Sequence, residues 1–114
     1  MLGRTRVRLV AAVVTGLVLV LWIHAREEKA AGIRATRATI TGTYRAVASY
    51  RADHAGACPR ELGELVSGGY VQDVPFDAWG GPLRLTCPGR RDPSGFEISS
   101  DGPDRLPGGL DRVE

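Results

Sequence analysis

Three features of the sequence predict an α+β fold in which one long N-terminal helix is followed by a small antiparallel-sheet head. Residues 9–23 are an uncharged apolar run, and residues 26–54 continue from it without a proline and with helical periodicity. From Tyr70 onward the pattern changes to turn formers and two short alternating segments. With 114 residues, of which the first two dozen are too apolar for a soluble core, there is room for one small folded head.

The apolar run LVAAVVTGLVLVLWI widens to 19 residues if it is counted from Val7 to Ala25. As a helix that stretch covers about 28 Å, close to the roughly 30 Å hydrocarbon core, with Arg8 and His24 reaching toward the headgroups. Arg4, Arg6 and Arg8 precede it, whereas Arg26, Glu27, Glu28 and Lys29 after it cancel. The positive-inside rule therefore predicts a cytoplasmic N-terminus and an exported remainder. A cleaved signal peptide has the same basic and apolar regions, and both readings export the head. The poor match of Ile23-His24-Ala25 to a small-x-small cleavage site, and the helical pattern running through it, favour a retained anchor. The expected organisation is a basic cytoplasmic tip and transmembrane helix over residues 1–25, and an extracytoplasmic head with a helical stalk over residues 26–114.

Along the stalk, Ile33, Ile40, Tyr44, Val47 and Arg51 fall on one face of a 3.6-residue period, with Tyr50 widening the stripe. Residues 26–39 offer little apolar surface beyond Ile33, so this part is expected to project or to pack against other helices. Gly32 and Gly42 each cost up to about 1 kcal/mol relative to alanine and are expected to mark flexible points. Gly56 supplies a left-handed cap and Pro59 prevents continuation, so the helix ends near His54. A short helix is predicted over residues 59–66, with Leu62, Leu65 and Val66 on one face, closed by Ser67-Gly68-Gly69. Strands are predicted at residues 83–87 and 96–99, joined by the turn-rich Pro88-Gly89-Arg90-Arg91-Asp92-Pro93-Ser94-Gly95. Residues 101–114 read as irregular and acidic.

The charge pattern and motifs exclude several functions. From Arg26 onward there are 12 basic and 13 acidic residues, which is no nucleic-acid footprint. His24 and His54 lie a long helix apart, and a triad drawn from His54, Ser99 and Asp101 has no nucleophile-elbow context. Gly80-Gly81 and Gly108-Gly109 lack the strand-to-helix setting of a phosphate loop. The chain is thus read as non-catalytic. Cys58 and Cys87 are the only cysteines, and in a small exported head they read as one disulfide, the alternative being two buried thiols. Asp92, Glu97, Asp101, Asp104, Asp111 and Glu114 face only Arg105 and Arg112 over the last 23 residues. Such an oxygen-rich, turn-rich segment suits calcium, or else it is a solvated tail with Asp as turn former.

The order of several short motifs carries a family resemblance. Tyr50-Arg51-Ala52-Asp53 is followed by Cys58-Pro59, Leu62-x-x-Leu65-Val66 and Gly69-Tyr70-Val71. Then come Val74-Pro75-Phe76-Asp77-Ala78-Trp79-Gly80-Gly81-Pro82-Leu83 and Ser99-Ser100-Asp101-Gly102-Pro103-Asp104. Over about residues 43–111 this resembles the major pseudopilin of type II secretion systems. The Asp-x-Trp-Gly-x-Pro run with Ser-x-Gly-Pro-Asp about 20 residues on is its most specific part. The resemblance implies a pilin-like fold and a structural subunit of a pseudopilus-like filament that supports protein export. Its expected partners are other pseudopilin subunits, copies of itself included, and inner-membrane secretion components, with no nucleic acid. It also implies calcium in the C-terminal loop: Asp104 and Asp111 match the carboxylate positions, and carbonyls near Ser99 and Leu106 complete the shell. Arg105 stands where that pattern has glycine. At the N-terminus, Arg4 follows Gly3 and Arg8 occupies the position of the family's buried glutamate. That departure motivates the alternative of an uncleaved, membrane-anchored periplasmic binding module outside any filament.

Overall fold

The computed structural model describes residues 2–106 and 112–114. Its elements, in chain order, are α1 (Leu2–Asp53), α2 (Gly63–Ser67), β1 (Arg84–Thr86) and β2 (Glu97–Ser99). This is the α+β, pilin-like arrangement expected, a long N-terminal helix with a small antiparallel sheet. The chain forms two compact units, Met1–Ala31 and Gly32–Glu114.

The first unit is helical throughout its described residues, and its large apolar side chains from Val7 to Ile23 are about half exposed or more. This is the one helix among the described residues that is long and apolar enough to cross a membrane. Past the apolar run, the Arg26 guanidinium stacks 4.7 Å from the Trp22 ring and His24 lies 3.0 Å from Glu28, one turn on. Both contacts join side chains four residues apart, which the helix brings to the same face.

In the second unit, the remainder of α1 packs on a core of Ile40, Ala46, Val47, Leu62, Leu65, Leu83, Ile98 and Val113. Its buried stripe includes Thr36 and Thr43 as well as Ile40 and Val47, so it is more polar than apolar periodicity predicted. Burial is tolerated because both hydroxyls are bonded: Thr43 donates to the Thr39 carbonyl (2.8 Å), and Thr36 accepts the Ala78 N–H (3.1 Å). Tyr44, placed on the core face by its spacing, is 49 % exposed and stacks on Phe96 with centroids 4.4 Å apart.

The helix ends as its sequence demands. Ala55 (φ 56°) and Gly56 (φ 83°) turn left-handed, and the Gly56 N–H donates to the Arg51 carbonyl at 2.7 Å. Arg51 then donates to the carbonyls of Gly56 (3.2 Å) and Ser94 (3.1 Å), tying the helix end to the 88–95 loop. The short second helix begins at Gly63 rather than at Pro59. Two i→i+3 bonds, from Glu64 to Glu61 and from Leu65 to Leu62, tighten the chain before it, and the Glu64 carboxylate takes the Arg60 N–H.

Strands β1 and β2 pair antiparallel, with Arg84 opposite Ser99, Leu85 opposite Ile98 and Thr86 opposite Glu97. The C-terminus is more ordered than its composition suggested. Ser100 and Val113 exchange both backbone hydrogen bonds (2.7 and 2.9 Å), and Val113 is 4 % exposed. Burial of the Val113 side chain returns the end of the chain to the core.

Candidate functional site

The Phe76–Leu83 segment is organised around a single buried carboxylate. A bridge between Phe76 and Pro82 and the Asp77 N–H to Gly81 carbonyl bond (2.8 Å) close the loop. Inside it, Asp77 Oδ1 accepts the N–H groups of Trp79 (3.0 Å) and Gly81 (2.8 Å). Asp77 Oδ2 accepts the Ser100 hydroxyl at 2.6 Å, and Ser100 Oγ in turn accepts the Gly102 N–H at 3.1 Å. Asp77 is 6 % exposed and Ser100 fully buried. Three donors thus converge on one carboxylate and satisfy both of its oxygens within the protein. Gly81 leaves room for this closeness, since a Cβ there would lie 3.0 Å from Asp77 Oδ2 and press on the carboxylate.

This loop aims Trp79 at α1. A Cβ on Gly32 would meet Trp79 Cζ2 at 2.8 Å, so Gly32 is the seat of the indole rather than a flexible point. Gly42 has no such neighbour within 4 Å. Trp79 packs against the core, and the Arg105 guanidinium donates to its carbonyl. Arg105 has φ 56°, the left-handed conformation for which glycine is the usual choice. The arginine accepts that strain and returns a hydrogen bond across the loop.

Cys58 and Cys87 form a disulfide, with Cα atoms 5.8 Å apart, joining the loop after α1 to the residue after β1. Of the oxygen ligands implied for calcium, Ser99 lies in β2, and Asp104 and Leu106 lie in and just after the turn closed by the Arg105 N–H to Gly102 carbonyl bond (3.1 Å). Asp104 is exposed and its Oδ1 accepts the Leu106 N–H at 3.0 Å, while Oδ2 takes no hydrogen bond among the described residues. Asp111 lies outside the described residues. Among those described, no three His, Cys, Asp or Glu side chains gather into a metal-binding group. The implied donors are nonetheless all oxygen, with a carboxylate oxygen open to solvent, which is the chemistry a hard cation takes.

Two residues of the triad drawn from the sequence, His54 and Asp101, have other partners. His54 Nδ1 sits 2.7 Å from the Tyr50 carbonyl and its ring stacks on Tyr50 at 3.9 Å, while Asp101 pairs with Arg84 at 2.7 Å. That pair raises the Arg84 pKa above its usual value, first through the hydrogen bond and then through the charge of Asp101. Sequence reasoning missed the burial of Asp77, for which the only signal was an aspartate opening a turn two residues before Trp79 and four before Gly81.

The family model described as Type II secretion system (T2SS), protein G matches residues 24–114. The matched region covers the whole head and starts where the apolar run ends. Neither the curated proteins nor the solved structures returned a match. The Asp77-centred loop, the disulfide and the paired strands all fall within that match, and the chain belongs to the protein G family of type II secretion systems.

Proposed function

We propose that this chain is a structural subunit of a type II secretion pseudopilus-like filament, anchored in the inner membrane with its N-terminus cytoplasmic and its head in the periplasm. Membership of the protein G family carries this reading and gives the chain a structural, non-catalytic role in secretion. The single apolar N-terminal helix supports a single-pass inner-membrane protein, and the three arginines before it support the orientation. Its partners are other pseudopilin subunits and inner-membrane secretion components. In a bacterium using this chain as its protein G, deletion of the gene is expected to leave exported proteins in the periplasm, and the full-length chain to restore their release. Undiminished release after deletion overturns the role.

The oxygen donors at Ser99, Asp104, Asp111 and Leu106 further support calcium as a stabilising ligand of the C-terminal loop. Added calcium is expected to raise the melting temperature of the full chain in detergent, and chelator to lower it. An unchanged melting temperature removes calcium from the account.

A further inference from the structure

The N-terminal end of α1 concentrates positive charge that the chain itself does not answer. Arg4 stands in the first turn of the helix, Arg6 and Arg8 in the second, and no acidic residue precedes Glu27. All three arginines are exposed, and none has a hydrogen-bond or ion-pair partner among the described residues. A helix N-terminus is the positive end of the macrodipole, where acids are favoured and bases are not. Arg4 and Arg8 add like charges one turn apart, which repel. A guanidinium keeps its charge at any pH a cell meets, so loss of a proton cannot relieve this. A compensating anion therefore comes from outside the chain.

The helix surface beside these charges is apolar and grooved. A turn of about 100° per residue puts Val7 between Arg6 on one side and Arg4 and Arg8 on the other. Two shallow recesses meet at Val7. One, of about 370 Å³, is lined by Gly3, Arg4, Val7 and Arg8, and the other, of about 520 Å³, by Arg6, Val7, Val10, Ala11, Val14 and Thr15. Thr15 donates its hydroxyl to the Ala11 carbonyl at 2.8 Å, so no donor in the groove is left facing hydrocarbon. Guanidiniums flanking the head of an apolar groove match a phospholipid, with its phosphate among the arginines and an acyl chain along the valines. An acidic protein segment or a free phosphate would answer the charge and leave the valines uncovered. A zwitterionic headgroup brings its own cation, whereas an anionic one keeps a net negative charge for the three arginines. The other end of the apolar run is different, since Arg26 stacks on Trp22 and Glu27 and Glu28 stand beside it.

We propose that Arg4, Arg6 and Arg8, with the groove beside Val7, Ala11 and Val14, bind one anionic phospholipid of the cytoplasmic leaflet. This rests on the reading of the chain as membrane-anchored with a cytoplasmic N-terminus, and names the lipid class which that end selects. Native mass spectrometry of the full-length chain in a non-ionic detergent, offered equal amounts of phosphatidylglycerol and phosphatidylcholine, reads the preference directly. The phosphatidylglycerol adduct is expected to exceed the phosphatidylcholine adduct about ten-fold, and Arg4→Gln, Arg6→Gln and Arg8→Gln combined to bring the two within about two-fold. Ala11→Phe keeps every charge but fills the groove, and is expected to cause loss of both adducts. These positions are exposed and glutamine favours helix, so circular dichroism should show α1 intact in each variant. Equal adducts in the unsubstituted chain, a preference that survives in the triple variant, or undiminished adducts in Ala11→Phe each overturn the proposal. Displacement of the lipid by millimolar inorganic phosphate would mark a simple anion site and overturn it as well. Carbonate extraction of membranes tests the anchor separately. Release of the chain overturns the anchored reading itself, whereas a retained chain without lipid preference overturns only the lipid site.

Discussion

Asp77 shows how one side chain can organise a loop that has no regular secondary structure. Its carboxylate replaces the sheet or helix partners that the N–H groups of Trp79 and Gly81 would otherwise need, and it also holds the Ser100 hydroxyl. Asp77→Ala is expected to destabilise the chain by about 3 kcal/mol or more, because charged acceptors contribute more than neutral ones and the donors are left buried. Asp77→Asn keeps one acceptor oxygen and should lose about half as much. Urea unfolding of the detergent-solubilised chain measures both. Arg105 illustrates a different trade at the same scale. A left-handed backbone costs a non-glycine residue roughly 1–2 kcal/mol, and the hydrogen bond to the Trp79 carbonyl offsets part of it.

The second half of α1 is stabilised by what crosses it, and its two glycines report this in opposite directions. Gly32→Ala places a methyl group 2.8 Å from the Trp79 ring, whose backbone is held at both ends by Asp77 and Arg105. Overpacking of about 1–3 kcal/mol should exceed the gain of about 1 kcal/mol in helix propensity, lowering the melting temperature. Gly42→Ala meets nothing within 4 Å and should raise it. The end of α1 is clamped to α2 and the turn after it by Tyr50 donating to Glu64 (3.1 Å) and Tyr70 donating to Asp53 (2.6 Å). Both phenols titrate above their usual value of about 10, Tyr70 chiefly through the Asp53 bond and Tyr50 chiefly through burial. The protonated form is the one the fold favours, so this contribution is complete below pH 10 and is lost as pH rises through the raised values. Ultraviolet titration of the tyrosines should show Tyr70 returning toward 10 in Asp53→Asn, with a smaller alkaline loss of stability.

At the scale of the whole molecule, the head is small and its core holds eight buried apolar side chains among the described residues, so a covalent link has large leverage. The Cys58–Cys87 bond spans a sequence separation of 29 residues. In the chain-entropy account, closing a loop of that length contributes about 3–4 kcal/mol. Reduction and alkylation should lower unfolding stability by about that amount, measured by denaturant titration against the oxidised chain. An equal stability in both states would mean that the core, not the crosslink, holds α1 to the sheet.

How much of this was legible in the sequence depends on the distance over which each interaction acts. The apolar run, the helix end at Gly56 and the two strands around the 88–95 loop are written in neighbouring residues, through periodicity and turn chemistry, whereas the cysteine pair, 29 residues apart, was legible only as an even count of thiols in a small exported head. The start of α2 was misplaced by four residues because a proline permits a helix but does not oblige one to begin, and Glu64 drew the preceding N–H away from it. The burial of Thr36, the seat of Trp79 on Gly32 and the return of Val113 to the sheet were decided only by tertiary structure. Each joins residues more than ten positions apart, and no local pattern marks a threonine that is buried because a distant amide reaches it. The sequence by itself determined an anchored helix with a small disulfide-linked head. Packing determined which of its polar residues became structural and which charges were left facing outward, because burial is a property of the assembled surface and not of the residue.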